Sequence, residues 1–181
     1  MLWIILGVIA LLVLLLVLLY NRLVTFRNRV DNAWAQVDVQ LKRRYDLIPN
    51  LVETVKGYAS HERETFEAVT NARAAAQSAT GPAEQGAAEG LLSAALGRLI
   101  AVAEAYPELQ ADENFRQLQE ELAQTENRIA VSRQVYNDTV LTYNTAIQTV
   151  PGVFFAGPFG FTKRDFFEVE GEAREAPRVS L

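Results

Sequence analysis

Three rhythms of apolar residues follow one another along this chain, and each predicts a different element. Leu2–Leu19 (LWIILGVIALLVLLLVLL) is apolar without interruption. As a helix it would be ~27 Å long, close to the hydrocarbon thickness of a bilayer. Trp3 and Tyr20 stand at its two ends, where amphipathic rings favour the membrane interface. A cleaved signal peptide would carry a basic start, a shorter apolar run and a small-residue cleavage site. Here no Lys or Arg precedes the run, and Tyr-Asn-Arg-Leu follows it. A soluble core helix rarely has leucine and valine on every face. The run is therefore expected to be a retained transmembrane anchor, residues 1–21.

From Val24 the rhythm changes to steps of three and four. Val30, Ala33/Trp34, Val37, Leu41, Tyr45, Ile48, Leu51/Val52, Val55 and Tyr58/Ala59 line one face of an α-helix. Pro49 falls inside this series without resetting its phase. It removes the hydrogen bond to the Tyr45 carbonyl, and its ring crowds that carbonyl. One long helix, about 22–76, bent at Tyr45 and Pro49, is expected. The competing reading is a break, with Asp46 capping a new helix from Leu47. Gln77–Gly90 (QSATGPAEQGAAEG) holds Gly81-Pro82 and two further glycines, and reads as a loop. A helix over about 91–106 follows, with Leu92, Leu96, Leu99, Val102 and Tyr106 on one side. The thirteen alanines between Ala72 and Ala105 would let helix backbones approach closely. Pro107 should end that helix, and Asp112 should cap the next.

The third helix, about 113–149, carries the longest seam: Phe115, Leu118, Leu122, Thr125, Ile129, Ser132, Tyr136, Val140, Tyr143 and Ile147. The spacing is heptad-like over ~50 Å. Within it, Tyr136-Asn137 and Tyr143-Asn144 repeat at seven residues. A polar layer that fixes helix register is the simple reading, and a ligand site is the alternative. Residues 151–181 change character. Phe154, Phe155, Phe159, Phe161, Phe166 and Phe167 are six of the nine phenylalanines, with Gly157, Pro158 and Gly160 among them. Three uses are open for these rings: capping the bundle's own end, docking on a neighbouring subunit or partner, or dipping into a bilayer interface. A long first helix would start this tail far from the anchor's membrane, which disfavours the third use. The expected fold class is all-α. A transmembrane helix continues into a long bent helix, an antiparallel three- or four-helix bundle fills 22–150, and an irregular Phe-rich segment ends the chain.

Composition narrows the chemistry. Among 181 residues there is no cysteine and one histidine. Disulfides, thiolate zinc sites and Cys nucleophiles are excluded, and most zinc sites lack ligands. The net charge of −5 is unevenly spread. Residues 21–60 carry seven Lys/Arg against four Asp/Glu, and 61–126 carry four against twelve. An acidic body of this kind argues against nucleic acid as a partner. Arg22, Arg27 and Arg29 follow the anchor. By the positive-inside rule they place the N-terminus outside and the soluble domain in the cytoplasm. The same arginines can bind anionic headgroups or remain solvated helix surface.

There is no Gly-rich phosphate loop, no H-E-x-x-H and no nucleophile elbow. His61 sits in a charged stretch (HERETFE) and reads as solvent-facing rather than as a metal ligand shared between subunits. Asp46, Glu53 and Arg43/Arg44 read as helix-surface ion pairs rather than an acid–base site. No catalytic, cofactor-binding or metal-binding residue is expected, and no enzyme.

Four strings taken together resemble a known family. They are the N-terminal anchor, QLKRRYDLIPNLVETVKGYASHE, AYPELQADENFRQLQEELAQTENRIAVSRQVYNDTVLTYN, and the Phe-rich end after VPG. The chain is similar to the LemA family of bacterial membrane proteins along its whole length, departing only in the Gln77–Gly90 stretch. The resemblance implies an antiparallel helical bundle on one N-terminal span in the bacterial inner membrane. It implies no reaction. Members are often encoded near membrane metallopeptidases and TPM-domain proteins, an association that points to envelope maintenance.

Two functions fit these observations. One is a membrane-anchored scaffold that self-associates through its long helices into a homo-oligomer and organises or remodels the bilayer. The other is an adaptor presenting the Arg43–His61 surface to another membrane protein, such as a protease or a sensor. A bundle seam and a partner groove have the same residue pattern, so periodicity does not separate them.

Overall fold

In the computed structural model, which describes residues 1–169, the apolar run and the amphipathic series after it are one helix. α1 spans Leu2–Tyr58 without interruption. None of its apolar N-terminal window is buried. From Leu23 onward one face is buried, through Val30, Ala33, Val37, Leu41, Tyr45, Ile48, Leu51 and Val55. The switch from apolar on all faces to apolar on one is the switch from a lipid-like to a half-aqueous setting.

Pro49 lies inside α1, and no new helix begins at Leu47. A neighbouring helix supplies what the proline removes. α2 (Arg63–Ser78) brings Arg73 against α1, and Arg73 Nε donates to the Tyr45 carbonyl at 2.8 Å. That carbonyl is the one Pro49, having no N–H, leaves unpaired.

The first helix ends at Tyr58, not near residue 76. The Ala59 amide donates to Val55 (2.9 Å) and the Glu62 amide to Ala59 (3.2 Å), closing a turn before α2 begins. Apolar spacing runs straight across it, through Val55, Ala59, Phe66, Val69 and Ala76, all buried. Periodicity therefore could not mark the turn, and Gly57 with the polar Ser60-His61 pair was the local signal.

The expected loop over Gln77–Gly90 is mostly helix. α3 spans Gly81–Glu104, so only Ala79 and Thr80 separate it from α2. Gly81 takes the left-handed conformation (φ 79°), and Pro82 sits in the first turn, where its missing N–H is not needed. The Glu84 carboxylate accepts from both the Thr80 amide (3.1 Å) and hydroxyl (2.9 Å). These bonds hold the Glu84 carboxyl below its ordinary pKa. α3 stops at Glu104, and Pro107 opens a short helix, α4 (Pro107–Ala111). The Asp112 carboxylate accepts from the Phe115 amide at 2.8 Å, which lowers its pKa, at the start of α5 (Glu113–Gln148). A five-residue helix, α6 (Gly152–Ala156), precedes irregular chain to residue 169. The rest of the expected C-terminal segment, 170–181, lies outside the described residues. No strand occurs among the described residues.

The chain divides into two compact units. One comprises Met1–Gln36 and Gln134–Asp165, and the other Val37–Arg133 and, among the described residues, 166–169. Within each, α1 and α5 run antiparallel. In the first unit Trp34 meets Tyr136, with ring centroids 5.1 Å apart, while Leu19, Arg22 and Leu23 share a cleft with Ala146, Thr149 and Val150. In the second, Arg44 faces Glu126 and Tyr58 faces Asp112. The second unit also holds α2, α3 and α4, with α2 packed along α3. Its core draws on all of its helices, with Val69, Leu92, Leu99, Leu109 and Phe115 among the buried side chains.

Two glycines of α3 should respond oppositely to alanine. A Cβ on Gly86 would run into the Glu168 carbonyl, whereas one on Gly97 would meet open space. Gly97→Ala should stabilise by ~0.5–1 kcal/mol through lost unfolded-state entropy. Gly86→Ala should destabilise by ~1–3 kcal/mol through overpacking. Urea unfolding followed by circular dichroism reads both, and a Gly86→Ala chain as stable as its parent would contradict the close approach.

Candidate functional site

Tyr20 closes the apolar run, and two phenylalanines of the C-terminal segment pack edge-on against its ring. Phe159 lies at 5.4 Å and Phe161 at 5.7 Å between centroids. The tail therefore returns to the end of the anchor instead of starting far from it. Antiparallel α5 is the reason, because it runs back along α1 in this unit and delivers Val150 beside Leu19. Of the three arginines that follow the apolar run, Arg27 joins this cluster, while Arg22 and Arg29 flank Phe26. The Arg27 guanidinium lies 5.4 Å over the Phe161 ring, and Arg22 and Arg29 lie 5.3 and 5.8 Å from the Phe26 ring. Each such contact contributes ~0.5–1 kcal/mol at an exposed site. Trp3, at the far end of the run, is exposed.

Three members of the expected polar layer grip the C-terminal segment. The Tyr136 hydroxyl donates to the Asp165 carbonyl and the Tyr143 hydroxyl to the Thr162 carbonyl, both at 2.8 Å. The Asn144 side chain pairs with the backbone of Arg164, donating to its carbonyl (2.8 Å) and accepting from its amide (2.9 Å). The Arg164 side chain then reaches Asp31 at 2.9 Å. Asn137, the fourth member, is half-buried. Burial pushes the Tyr136 phenol up to about 12 and raises that of Tyr143 as well. A neutral phenol is the form that can donate, so burial and hydrogen bonding agree.

The six phenylalanines have separate fates. Phe161 is buried in the first unit and Phe167, 1% exposed, in the second. Both pack within their own chain, so neither is free to meet a neighbour. Phe154, Phe159 and Phe166 remain exposed, and Phe155 is half-buried.

The second unit encloses a charge cluster. Arg44 lies on the buried side of α1, not on the helix surface where Arg43/Arg44 were expected to pair. Its Nη1 donates to Glu89 Oε2 at 2.7 Å and its Nη2 to Ser93 Oγ at 2.8 Å. Glu126 Oε1 lies 2.9 Å from its Nε as an ion-pair contact. The Arg44 and Glu89 side chains are 3% and 2% exposed. The Tyr45 hydroxyl donates to Glu89 Oε1, and Gln85 Nε2 sits 2.9 Å from the same oxygen, 2.8 Å from Tyr45 Oη and 3.0 Å from the Ala76 carbonyl. Burial raises the Tyr45 phenol pKa, reinforced by its hydrogen bond to Glu89 and that side chain's negative charge. One arginine thus ties α1 to α3 and α5. His61 is exposed in the turn between α1 and α2. Among the described residues no three His, Asp or Glu side chains converge as metal ligands would.

The family model described as the LemA family matches residues 33–181, a span containing the whole charge cluster and the segment held by Tyr136 and Asn144. The chain belongs to the LemA family. The apolar run of this LemA-family chain precedes the matched region. It is 28% identical to Magnetosome protein MamQ of Magnetospirillum gryphiswaldense over 91% of this chain and 70% of that protein. It is 29% identical to Magnetosome protein MamQ 2 of Paramagnetospirillum magneticum over the same shares. Protein LemA of Metamycoplasma hominis is 26% identical over 71% of this chain and 59% of its own. None of these names denotes an enzymatic activity. The exposed apolar helix and these relatives together mark a membrane-associated protein.

The cluster sets a test of the fold. Arg44→Met leaves the Glu89 carboxylate buried without its cation and should destabilise by ~3–5 kcal/mol. Adding Glu89→Met should restore part of that loss, because no lone charge then remains inside. Chemical denaturation in detergent micelles measures both. A single variant as stable as the parent would show that water reaches Glu89.

Proposed function

We propose that this chain is a non-enzymatic membrane-anchored scaffold whose helical part self-associates at the bacterial inner membrane. The supporting observation is α1, one helix that is exposed and apolar at its start and buried along one face afterwards. Such a helix couples the helical part of the first unit directly to the bilayer. Exposed apolar positions on α5, Val131, Val135 and Leu141, offer surface for a second copy. In this reading Arg22, Arg27 and Arg29 keep the helical part on the cytoplasmic side of a single span.

A second reading rests on an open groove in the second unit. Leu47, Asn50, Glu53 and Thr54 of α1 face Asn114, Gln117, Leu118 and Glu121 of α5 across it. It overlaps the Arg43–His61 surface and suits an adaptor for another membrane protein.

The mass of the full-length protein in mild detergent separates the two. The scaffold predicts a large, discrete homo-oligomer, and a monomer or dimer that survives dilution would favour the adaptor. Orientation is read separately. Alkaline phosphatase fused after the helical part should be inactive in a Gram-negative host, and an active fusion would reverse the topology.

A further inference from the structure

We propose that the turn joining α5 to the C-terminal segment is a second membrane contact, inserted at the headgroup–acyl boundary beside the α1 span. Every residue the argument needs lies in the first unit. Val150, Val153, Phe154 and Phe159 are exposed there, Val150 at 74% and Phe154 at 68%. Exposed rings and branched side chains grouped on one tip mark a contact surface. Depth identifies the partner. Tyr20 sits where the apolar run ends, at the level an interfacial aromatic takes, and Phe159 packs on its ring at 5.4 Å. The other end of the tip shares a cleft with Leu19. Side chains that pack on Tyr20 or line a cleft with Leu19 lie near their depth, so a bilayer crossed by α1 meets this tip.

Charge agrees. From Thr139 to Thr162 the chain carries no Asp, Glu, Lys or Arg, and Lys163 and Arg164 follow at once. Arg164 is paired with Asp31, and Lys163, together with Arg22, Arg27 and Arg29 of α1, borders the uncharged tip at headgroup level, the pattern of an interfacial segment on an anionic surface. The tip is also held rigidly enough to insert. Phe161 is buried behind it, the Phe161 amide donates to the Ala156 carbonyl at 2.8 Å, and Gly160 (φ 72°) makes the tight return. The inference rests on Leu2–Leu19 crossing a bilayer, and the experiment separates the two.

The chain has no cysteine, so single labels can be placed at will. Val153→Cys, Leu12→Cys and, as a first-unit position away from the tip, Gln134→Cys would each be labelled with an environment-sensitive fluorophore in the full-length protein. The protein would be reconstituted in phosphatidylcholine–phosphatidylglycerol vesicles containing nitroxide lipids of defined depth. The expected result is strong quenching of the position-153 label by shallow nitroxides, with a blue-shifted emission. Position 12 should be quenched best by deep nitroxides, and position 134 by neither. Quenching at 12 but not at 153 would overturn the tip contact while leaving the anchor. A blue shift at 153 without lipid quenching would overturn it in favour of a second copy of the chain. Absence of quenching at 12 would overturn both readings.

Discussion

A helix that is apolar on every face at its start and amphipathic afterwards, crossing a bilayer as proposed, must satisfy two solvents with one ladder of backbone hydrogen bonds. In hydrocarbon each N–H and C=O needs a partner within the segment, which only a continuous helix or a closed barrel supplies. The ladder has one enforced gap, at Pro49. That gap falls in the packed part of the helix, well past the apolar run, where Arg73 can fill the Tyr45 carbonyl from α2. The same proline inside Leu2–Leu19 would have had no such donor. Within the first unit α5 is antiparallel to α1, and its end comes back to the level where α1 leaves the apolar run.

The interior of the second unit follows from small residues and one arginine. Alanine and glycine on α3 let backbones come close, and a Cβ at Gly86 would already collide with the Glu168 carbonyl. Close backbones alone do not define register, because alanine faces slide. The Arg44 guanidinium does, since its bonds to Glu89 and Ser93 and its contact with Glu126 are met together in one alignment of α1, α3 and α5. A buried ion pair is weak evidence for net stability, but it penalises every misaligned packing, which leaves a charge unpaired. Its position beside Tyr45 puts the register lock next to the proline gap.

Much of this was legible from spacing. The α1 stripe from Val30 to Val55 and the α5 seam from Phe115 to Ile147 are buried at nearly every position the period selects. What spacing could not show was reversal of direction. The apolar positions around Ala59 keep phase through a turn, so one helix was read where there are two. The opposite error arose at Gln77–Gly90. Glycine and proline suggested a loop, although Pro82 stands in a first turn and Gly86 answers a close approach, both compatible with a helix. Calling that stretch a loop also hid Gln85 and Glu89, whose spacing of four places them on one helix face. Tyr136, Tyr143 and Asn144 were visible as a group, but their acceptors are backbone carbonyls of Thr162, Arg164 and Asp165, which no sequence pattern announces.

Tyr20 and Arg27 join the C-terminal segment to the end of the apolar run. A lone span is held in depth by its apolar length but is free to rotate about its own axis, and tilt is set by packing and by interfacial anchors. Residues 162–165 are fastened to α5, Phe161 is buried, and Phe159 stands on Tyr20. A tip so fastened transmits its depth to the helical part of its unit. Contact on one side of the span would fix which face of α1 points along the membrane and which away from it. The proposed self-association would draw on that constraint, because copies confined to a plane but rotating freely present every face to one another, whereas copies sharing one rotation present the same two. The phenylalanines that stay exposed would then act on assembly through the bilayer, by orienting each chain, and not as the adhesive between chains.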